Sequence, residues 1–194
     1  MNKDILLCGV GGQGTVLASK ILAATAMNDG NKVHSAETIG MAQRGGSVTS
    51  HVRIGDEAYS PLIPHAMADV IMAFEPAEAV RNLVYLKADG VVIVNKVPTK
   101  PVTESLQDTG YDGVAMIEYL KKKCNTIVID AAELGSAKFL NIAMLGVAVG
   151  TGKLGFTKEQ ILDEIKKRVP AKYLDVNLKA FEQGVIIGEK GEVA

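Results

Sequence analysis

The chain has 194 residues, 21 basic and 22 acidic side chains, a formal net charge of −1 and 47% apolar residues. This length suffices for one well-packed core, so we expect a single domain over residues 1–194. The charges are balanced and interspersed, which argues against nucleic acid and anionic membranes as partners. Since no uncharged run is long enough to span a bilayer, the sequence predicts a cytoplasmic protein.

The chemistry-bearing residues form no recognisable catalytic or metal-binding set. Cys8 and Cys124 are the two cysteines, too few for an iron–sulfur cluster and too isolated for a zinc site, and we expect both to be buried, reduced thiols. His34, His51 and His65 lack an Asp, Cys or Ser at the spacing of a nucleophilic triad or a metal site. The sequence therefore predicts no catalytic residue and no metal ligand in this chain.

The first element in the chain is an apolar strand that leads into the turn Gly9-Val10-Gly11-Gly12-Gln13-Gly14-Thr15. A helix predicted over residues 15–27 follows directly. In such a turn Gly9 permits the sharp bend, Gly11 lets the backbone approach a ligand, and Gly14 allows close packing. The helix N-terminus adds unpaired N–H groups that bind anions. A glycine pattern alone also occurs in plain strand-to-helix turns, so both interpretations stay open. The predicted phosphate-binding residues are Gly9, Gly11, Gly12, Gln13, Gly14 and Thr15.

The elements that follow alternate between strands and helices. We predict a short strand over residues 32–36, a glycine-rich loop over residues 37–46 and a strand over residues 47–54 with one polar face. Apolar strands then cover residues 68–74, 90–95 and 126–130. Helices begin at Pro76 and cover residues 114–123 and 137–149, and two more close the chain. This alternation predicts an α/β, Rossmann-like three-layer domain with a mostly parallel sheet.

Two helix starts carry capping patterns. Thr157 and Gln160 stand three residues apart, as in a capping box, ahead of an apolar stripe. Glu75 precedes Pro76 at the end of an apolar strand, where it can either cap the next helix or contact a ligand. We favour the cap, because proline suits the first helical position.

The loop over residues 37–46 contains a second group of candidates. Glu37 lies roughly where a dinucleotide-binding protein holds the ribose, which would suit a free-standing NAD(P)-dependent dehydrogenase. The loop that follows is not the helix that such a fold supplies next. Gln43 and Arg44 stand before two glycines at a strand edge, where an arginine fork can bind an anion or a partner chain. The alternative is a solvated hairpin.

Three segments together resemble a known family. They are residues 9–18, residues 40–47 with the sequence Gly-Met-Ala-Gln-Arg-Gly-Gly-Ser, and residues 68–76. They are similar to the gamma-type domain of 2-oxoacid:ferredoxin oxidoreductases, and the similarity covers essentially the whole chain. In the pyruvate and 2-oxoglutarate branches the second loop usually has Gly-x-Glu-x-Arg-Gly, whereas here Ala42 takes the glutamate position. This form most resembles the small, beta subunit of the indolepyruvate branch.

The resemblance implies a function and a set of partners. Such an enzyme decarboxylates an arylpyruvate with thiamine diphosphate, passes two electrons through iron–sulfur clusters to ferredoxin, and releases an acyl-CoA. It also implies that the thiamine diphosphate and the clusters are held by a larger partner subunit. This chain would pack against that subunit and help to form the coenzyme A site, with Gln43 and Arg44 beside the glycine loop. A nucleotide-binding module without enzymatic activity is the remaining alternative.

Overall fold

The structure, a computed structural model, describes residues 1–40, 45–100, 110–130 and 137–191. Within these ranges six strands form one sheet in the order β2-β3-β1-β4-β5-β6. The strands are β1 Lys3–Val10, β2 Val33–Ile39, β3 Ser47–Ile54, β4 Ala68–Ala73, β5 Leu86–Asn95 and β6 Asn125–Ile129. Strands β1, β4, β5 and β6 are parallel neighbours, whereas β3 runs antiparallel to both β1 and β2. The mostly parallel sheet is confirmed.

Helices cover both faces of the sheet, which confirms the three-layer arrangement. The helices of the described ranges are α1 Thr15–Asn28, α2 Pro76–Arg81, α3 Val114–Lys123, α4 Leu140–Gly150, α5 Lys158–Arg168 and α6 Ala171–Lys190, with 3₁₀ turns at Leu83–Tyr85 and Ala137–Phe139. Leu7 and Ile93 pack on the face that α1, α4, α5 and α6 cover, and Leu6 and Val92 pack on the face of α2 and α3. Successive residues of a strand point to opposite faces, so central strands buried on both sides are apolar throughout.

Helices α4 and α6 pack with their backbones in contact. A Cβ at Gly146 would lie 2.1 Å from the Phe181 carbonyl oxygen, and one at Gly184 would lie 2.1 Å from the Ala143 carbonyl oxygen. Glycines recur four residues later in each helix, at Gly150 and Gly188, and close contacts recur with them. The contacts advance in the same direction along both helices, so α4 and α6 are parallel and begin at the same edge of the sheet.

The structure changes the predicted bounds near the second strand. Strand β2 continues past residue 36 to Ile39, because Glu37 and Thr38 pair with Ser50 and Thr49 of β3. The predicted loop over residues 37–46 is therefore shorter, and it joins β2 to β3 as a hairpin. Polar residues suit β2 since it lies at the edge of the sheet.

The polar face of β3 is less exposed than the alternation predicts. His51 and Arg53 are buried, because the segment after β3 covers them. Arg53 forms an ion pair with Asp4 at 2.7 Å and donates to the Ser60 carbonyl oxygen at 3.1 Å. The Ile63 N–H donates to His51 Nδ1 at 3.2 Å. Alternation thus predicts the strand correctly but does not show that a later segment shields its polar side.

Candidate functional site

The glycine loop connects β1 to α1 with its backbone partly open. Gly12 and Gly14 adopt φ angles of +101° and +81°, values that side-chain-bearing residues rarely take. Gly12 is exposed, and a Cβ there would meet no atom within 4 Å. The N–H groups of Gly12, Gly14 and Thr15 donate to no other described residue. They lie at the N-terminus of α1, where the helix dipole favours an anion.

Gln13 holds this loop in place through its side chain. Its Oε1 accepts from the Val10 N–H at 2.8 Å, and its Nε2 donates to the Phe74 carbonyl oxygen at 3.1 Å and to Thr99 Oγ1 at 3.0 Å. A Cβ at Gly9 would lie 2.5 Å from Gln13 Oε1, so Gly9 leaves the room that the amide occupies. Gln13 therefore ties the end of β1 to the chain beyond β4 and β5. Any ligand role of this loop falls mainly to its backbone N–H groups.

The glycine loop and the β2–β3 hairpin meet at their backbones. The Gly11 N–H donates to the Gly46 carbonyl oxygen at 2.9 Å. Next to it, Ser47 Oγ donates to Oε2 of the buried Glu78 at 2.7 Å. The structure thus brings together the two loops that the sequence singled out. Of the predicted site residues, Gln43 and Arg44 lie outside the described residues, so their positions stay predictions.

Glu75 caps helix α2, which confirms the interpretation that we favoured. Its Oε2 accepts from the Glu78 N–H at 3.0 Å. The Tyr111 hydroxyl donates to the other oxygen of Glu75 and accepts from the Ala77 N–H at 3.2 Å. Burial, followed by the hydrogen bond to Glu75, raises the pKa of Tyr111 well above its ordinary value. Tyr111 is therefore neutral at physiological pH and acts as a hydrogen-bonding link.

Asn141 lies against the other side of the glycine loop. A Cβ at Gly14 would lie 2.6 Å from Asn141 Nδ2, so only glycine allows this close approach. Asn141 is 7% exposed, and its Oδ1 accepts from the Ile142 N–H at 3.0 Å. Sequence reasoning missed this residue, although a lone amide in an otherwise apolar helix could have drawn attention to it. Gly14 packs against α4, as well as allowing the turn.

The two cysteines are free thiols in different settings. Cys8 is fully buried, and burial, followed by the charges of Glu78 and Glu75, raises its pKa. Cys124 is only half-buried, which corrects the expectation that both would be buried, and burial raises its pKa as well. Neither thiol has the lowered pKa that a nucleophile needs.

Glu37 does not lie beside the glycine loop. Its strand, β2, is separated from β1 by β3, and two strand spacings amount to about 9–10 Å. Its Oε1 accepts from Ser19 Oγ of helix α1 at 3.4 Å. In a dinucleotide-binding fold the second strand is the parallel neighbour of the first. The inserted antiparallel strand therefore argues against Glu37 as a ribose ligand.

Two further properties concern the part of the chain that the structure describes. It contains no group of three or more His, Cys, Asp or Glu side chains arranged to hold a metal ion. None of its helices is both long enough and apolar enough to cross a membrane.

Comparisons with known proteins agree with this fold. Residues 4–187 match the family described as Pyruvate ferredoxin/flavodoxin oxidoreductase. The chain is 39% identical to the indolepyruvate oxidoreductase subunit IorB of Archaeoglobus fulgidus over 190 residues, covering 95% of this chain and 94% of that protein. It is 36% identical to IorB of Pyrococcus horikoshii over 189 residues, covering 94% of each chain. The crystal structure of the pyruvate oxidoreductase subunit PORC of Thermotoga maritima is similar, with a TM-score of 0.70, 25% identity, and 95% of this chain and 96% of that chain covered.

The fold and the paired loops define a Rossmann-like subunit of the gamma type. The chain belongs to the pyruvate ferredoxin/flavodoxin oxidoreductase family. It is a small subunit of a 2-oxoacid:ferredoxin oxidoreductase. Enzymes of this kind use coenzyme A, thiamine diphosphate and iron–sulfur clusters.

Proposed function

We propose that this chain is the small subunit of an oxidoreductase that converts indolepyruvate, or a related arylpyruvate, into an acyl-CoA. The observation that carries this proposal is the similarity to IorB proteins along nearly the whole chain, at 36% and 39% identity. The likeness to proteins of the pyruvate branch is lower, at 31% identity to the pyruvate/ketoisovalerate oxidoreductase gamma subunit of Thermococcus litoralis and 25% to PORC. The loop sequence, with Ala42 where the pyruvate branch usually has glutamate, favours the same branch.

In the proposed enzyme the chemistry is divided between two subunits. The larger partner holds the thiamine diphosphate, which supplies the decarboxylation, and the iron–sulfur clusters, which carry two electrons to two ferredoxins. The oxoacid loses CO₂ and its acyl group forms a thioester with coenzyme A. This chain, as one domain over residues 1–194, contributes binding surface and holds no reacting group. We therefore expect the isolated chain to be inactive.

The proposed role of the glycine loop is to bind the pyrophosphate of coenzyme A. The N–H groups of Gly12, Gly14 and Thr15 are available as donors, and the dipole of α1 adds to their effect. The Gly11 N–H is already bound to Gly46, so it positions the hairpin instead. Gly12 leaves open space outside the loop, which a phosphate can fill without a clash. The free N–H donors and the open space at Gly12 therefore suit a pyrophosphate group.

Assembly and turnover test the proposed function. The full chain is co-expressed anaerobically with the large thiamine diphosphate and iron–sulfur subunit. We expect a stable complex that reduces ferredoxin when given indolepyruvate and coenzyme A, and no reduction with either subunit alone. Failure to form a complex, or a preference for pyruvate, would contradict the proposal.

A matched pair of glycine variants tests the site. Gly12→Ala places a methyl group where the phosphate is proposed to lie. Gly30 also has a positive φ, +77°, and open space around its Cβ, but it follows the C-terminus of α1. Gly30→Ala therefore carries a comparable strain, of about 1–3 kcal/mol, away from the loop. We expect only Gly12→Ala to weaken coenzyme A binding by the assembled enzyme, and equal affinities would leave the loop a structural turn.

The dehydrogenase and the nucleotide-binding module are tested with the isolated chain. Saturable binding of NADH in the micromolar range would favour a free-standing dehydrogenase. Binding of an adenine nucleotide by a chain that never joins a large subunit would favour the module. The position of Glu37, two strands from β1, makes us expect no NADH binding.

A further inference from the structure

Glu78, in the first turn of α2, is a buried carboxylate that the proposed chemistry does not use. The residue is 2% exposed, and both of its side-chain oxygens have partners. Its Oε2 accepts from Ser47 Oγ at 2.7 Å, and its Oε1 pairs with the exposed guanidinium of Arg81. Burying a carboxylate is costly unless such partners replace its water. The bond from Ser47 is therefore part of what holds the Glu78 side chain in this position.

Helix α2 does not need the Glu78 carboxylate for its own start. Glu75 supplies the cap, since its Oε2 accepts from the Glu78 N–H at 3.0 Å. The pair that Glu78 forms with Arg81, three residues later on the same helix, is a kind of contact that adds little stability at a surface. The carboxylate of Glu78 thus serves mainly to join α2 to the first residue of β3.

Ser47 lies where the three strands β1, β2 and β3 meet. It stands opposite Val10, the last residue of β1. Its carbonyl oxygen accepts from the Gly40 N–H, just after β2, at 3.1 Å. The carbonyl oxygen of the preceding residue, Gly46, accepts from the Gly11 N–H at 2.9 Å. A bond that fixes the Ser47 side chain therefore also fixes the peptide that holds the glycine loop.

Residues 74–78 hold the glycine loop by two routes. The direct route is the Phe74 carbonyl oxygen, which accepts from Gln13 Nε2 at 3.1 Å. The indirect route runs from Glu78 to Ser47 and from Gly46 to the loop. The glycine loop is thus braced from the end of β4 and from the start of β3, and loss of the Glu78 bond leaves the second brace without its anchor.

We propose that Glu78 is a positioning residue for the N–H groups of the glycine loop, an inference that rests on the proposed function. Glu78 itself touches no ligand. It acts through Ser47 on Gly46, whose carbonyl oxygen orients the peptide of Gly11 directly ahead of Gly12. Donors that are already aimed at an anion bind it more tightly, because no ordering cost is left for the binding step.

Removing the hydroxyl that Glu78 accepts tests this role. Ser47→Ala makes a small change at an exposed position, so the chain should still fold and join the large subunit. Isothermal titration of the assembled enzyme, without oxoacid, should give a dissociation constant for coenzyme A at least about fivefold higher than in wild type, equivalent to about 1 kcal/mol. The KM for coenzyme A should rise in parallel while kcat stays at its wild-type value, as for a loss of binding alone. Ser47→Thr keeps the hydroxyl and should restore the wild-type constant.

Glu164 in α5 provides a matched control for removing the carboxylate itself. It is 3% exposed and pairs with Lys167 three residues later, as Glu78 pairs with Arg81. It also accepts from Asn28 at the C-terminus of α1, the end of that helix remote from the glycine loop. Glu78→Ala and Glu164→Ala should both lower the melting temperature, because each leaves a buried group without its partner. Only Glu78→Ala should weaken coenzyme A binding.

The outcomes separate this inference from the proposed function. Wild-type affinity for coenzyme A in Ser47→Ala would overturn the inference, and so would an equal loss of affinity in Glu78→Ala and Glu164→Ala. A constant for Ser47→Thr as high as that of Ser47→Ala would also overturn it. If Glu78→Ala does not fold, the two Ser47 variants decide the question. A wild-type complex that binds no coenzyme A would instead contradict the proposed function.

Discussion

The Gly11 N–H donates to the Gly46 carbonyl oxygen at 2.9 Å, which joins the glycine loop to the base of the β2–β3 hairpin. The two loops lie far apart in the sequence, yet β3 pairs directly with β1 and brings their ends together: Ser47 stands opposite Val10. The described ends of the two loops, at Gly11 and Gly46, are therefore in direct contact at the edge of the sheet. A partner or a ligand that contacts Gly11 therefore also lies close to Gly46.

The first prediction concerns Gln13, whose side chain makes three hydrogen bonds within the chain. Gln13→Ala leaves the Val10 N–H without its acceptor and removes two donors, so we expect the free energy of unfolding to fall by about 1–3 kcal/mol. Chemical denaturation measures this. Gln183→Ala, at an exposed position of α6, serves as the control and should change stability by less than about 0.5 kcal/mol. Equal stability of both variants would show that the Gln13 side chain does not stabilise the glycine loop.

The second prediction concerns the close contact of α4 and α6. In an open helix, glycine to alanine stabilises by about 1 kcal/mol. At Gly184 the added Cβ would lie 2.1 Å from the Ala143 carbonyl oxygen, so the helices must separate. We expect Gly184→Ala to lower the free energy of unfolding by more than about 2 kcal/mol. Overpacking typically costs about 1–3 kcal/mol, and here the added methyl group meets backbone atoms, which cannot move aside as a side chain can. Thermal unfolding measures whether Gly184→Ala lowers the stability instead of raising it. Glu182→Ala, at an exposed position of the same helix, is the control.

The sequence predicted the local elements and missed relationships between distant ones. The capping box of α5 is confirmed, with Thr157 and Gln160 each bonding the other's backbone N–H, because the pattern acts within one turn. The insertion of β3 between β2 and β1 depends on pairing between distant strands, which no local pattern contains. Likewise the glycines of α4 and α6 appear in sequence as unfavourable helix residues. Only the packed pair shows that Gly146 and Gly184 permit backbone contact.

Some residues of the candidate site could likewise be predicted from the sequence, whereas others could not. The glycine loop and the hairpin loop were identified from sequence because glycine clusters mark positions that need unusual backbone angles. Glu78, Tyr111 and Asn141 were not identified, since each acts through a partner that is remote in sequence. The roles of such polar residues depend on the distant segments that pack against them.

The third prediction is a pH dependence that arises from His51. Burial, followed by the charge of Arg53, lowers the pKa of His51, and its Nδ1 accepts from the Ile63 N–H in the neutral form. The unfolded chain, with a histidine pKa of about 6.5, takes up the proton first. The stabilisation is therefore present above about pH 6.5 and is lost as the pH falls toward the lower pKa of the folded state.

Denaturation between pH 7 and pH 5 tests this dependence. His51→Asn retains an oxygen acceptor near Ile63 but cannot titrate, so its unfolding free energy should fall less steeply than that of wild type over this range. His34→Gln changes an exposed histidine and should keep the wild-type slope. Parallel curves for wild type and His51→Asn would show that another group produces the dependence.

The last prediction concerns Arg44, which precedes by two residues the glycine that binds Gly11. Arg44→Lys keeps the positive charge but loses the planar fork that binds a carboxylate or a phosphate through two hydrogen bonds. If this fork contacts the large subunit, the variant should weaken co-purification. If it contacts a phosphate of coenzyme A, the complex should form normally and its dissociation constant for coenzyme A should rise. In both cases the melting temperature of the isolated chain should stay close to that of wild type. Arg168→Lys, in the last turn of α5, is the matched control, and wild-type behaviour of Arg44→Lys in both assays would assign Arg44 to a solvated hairpin.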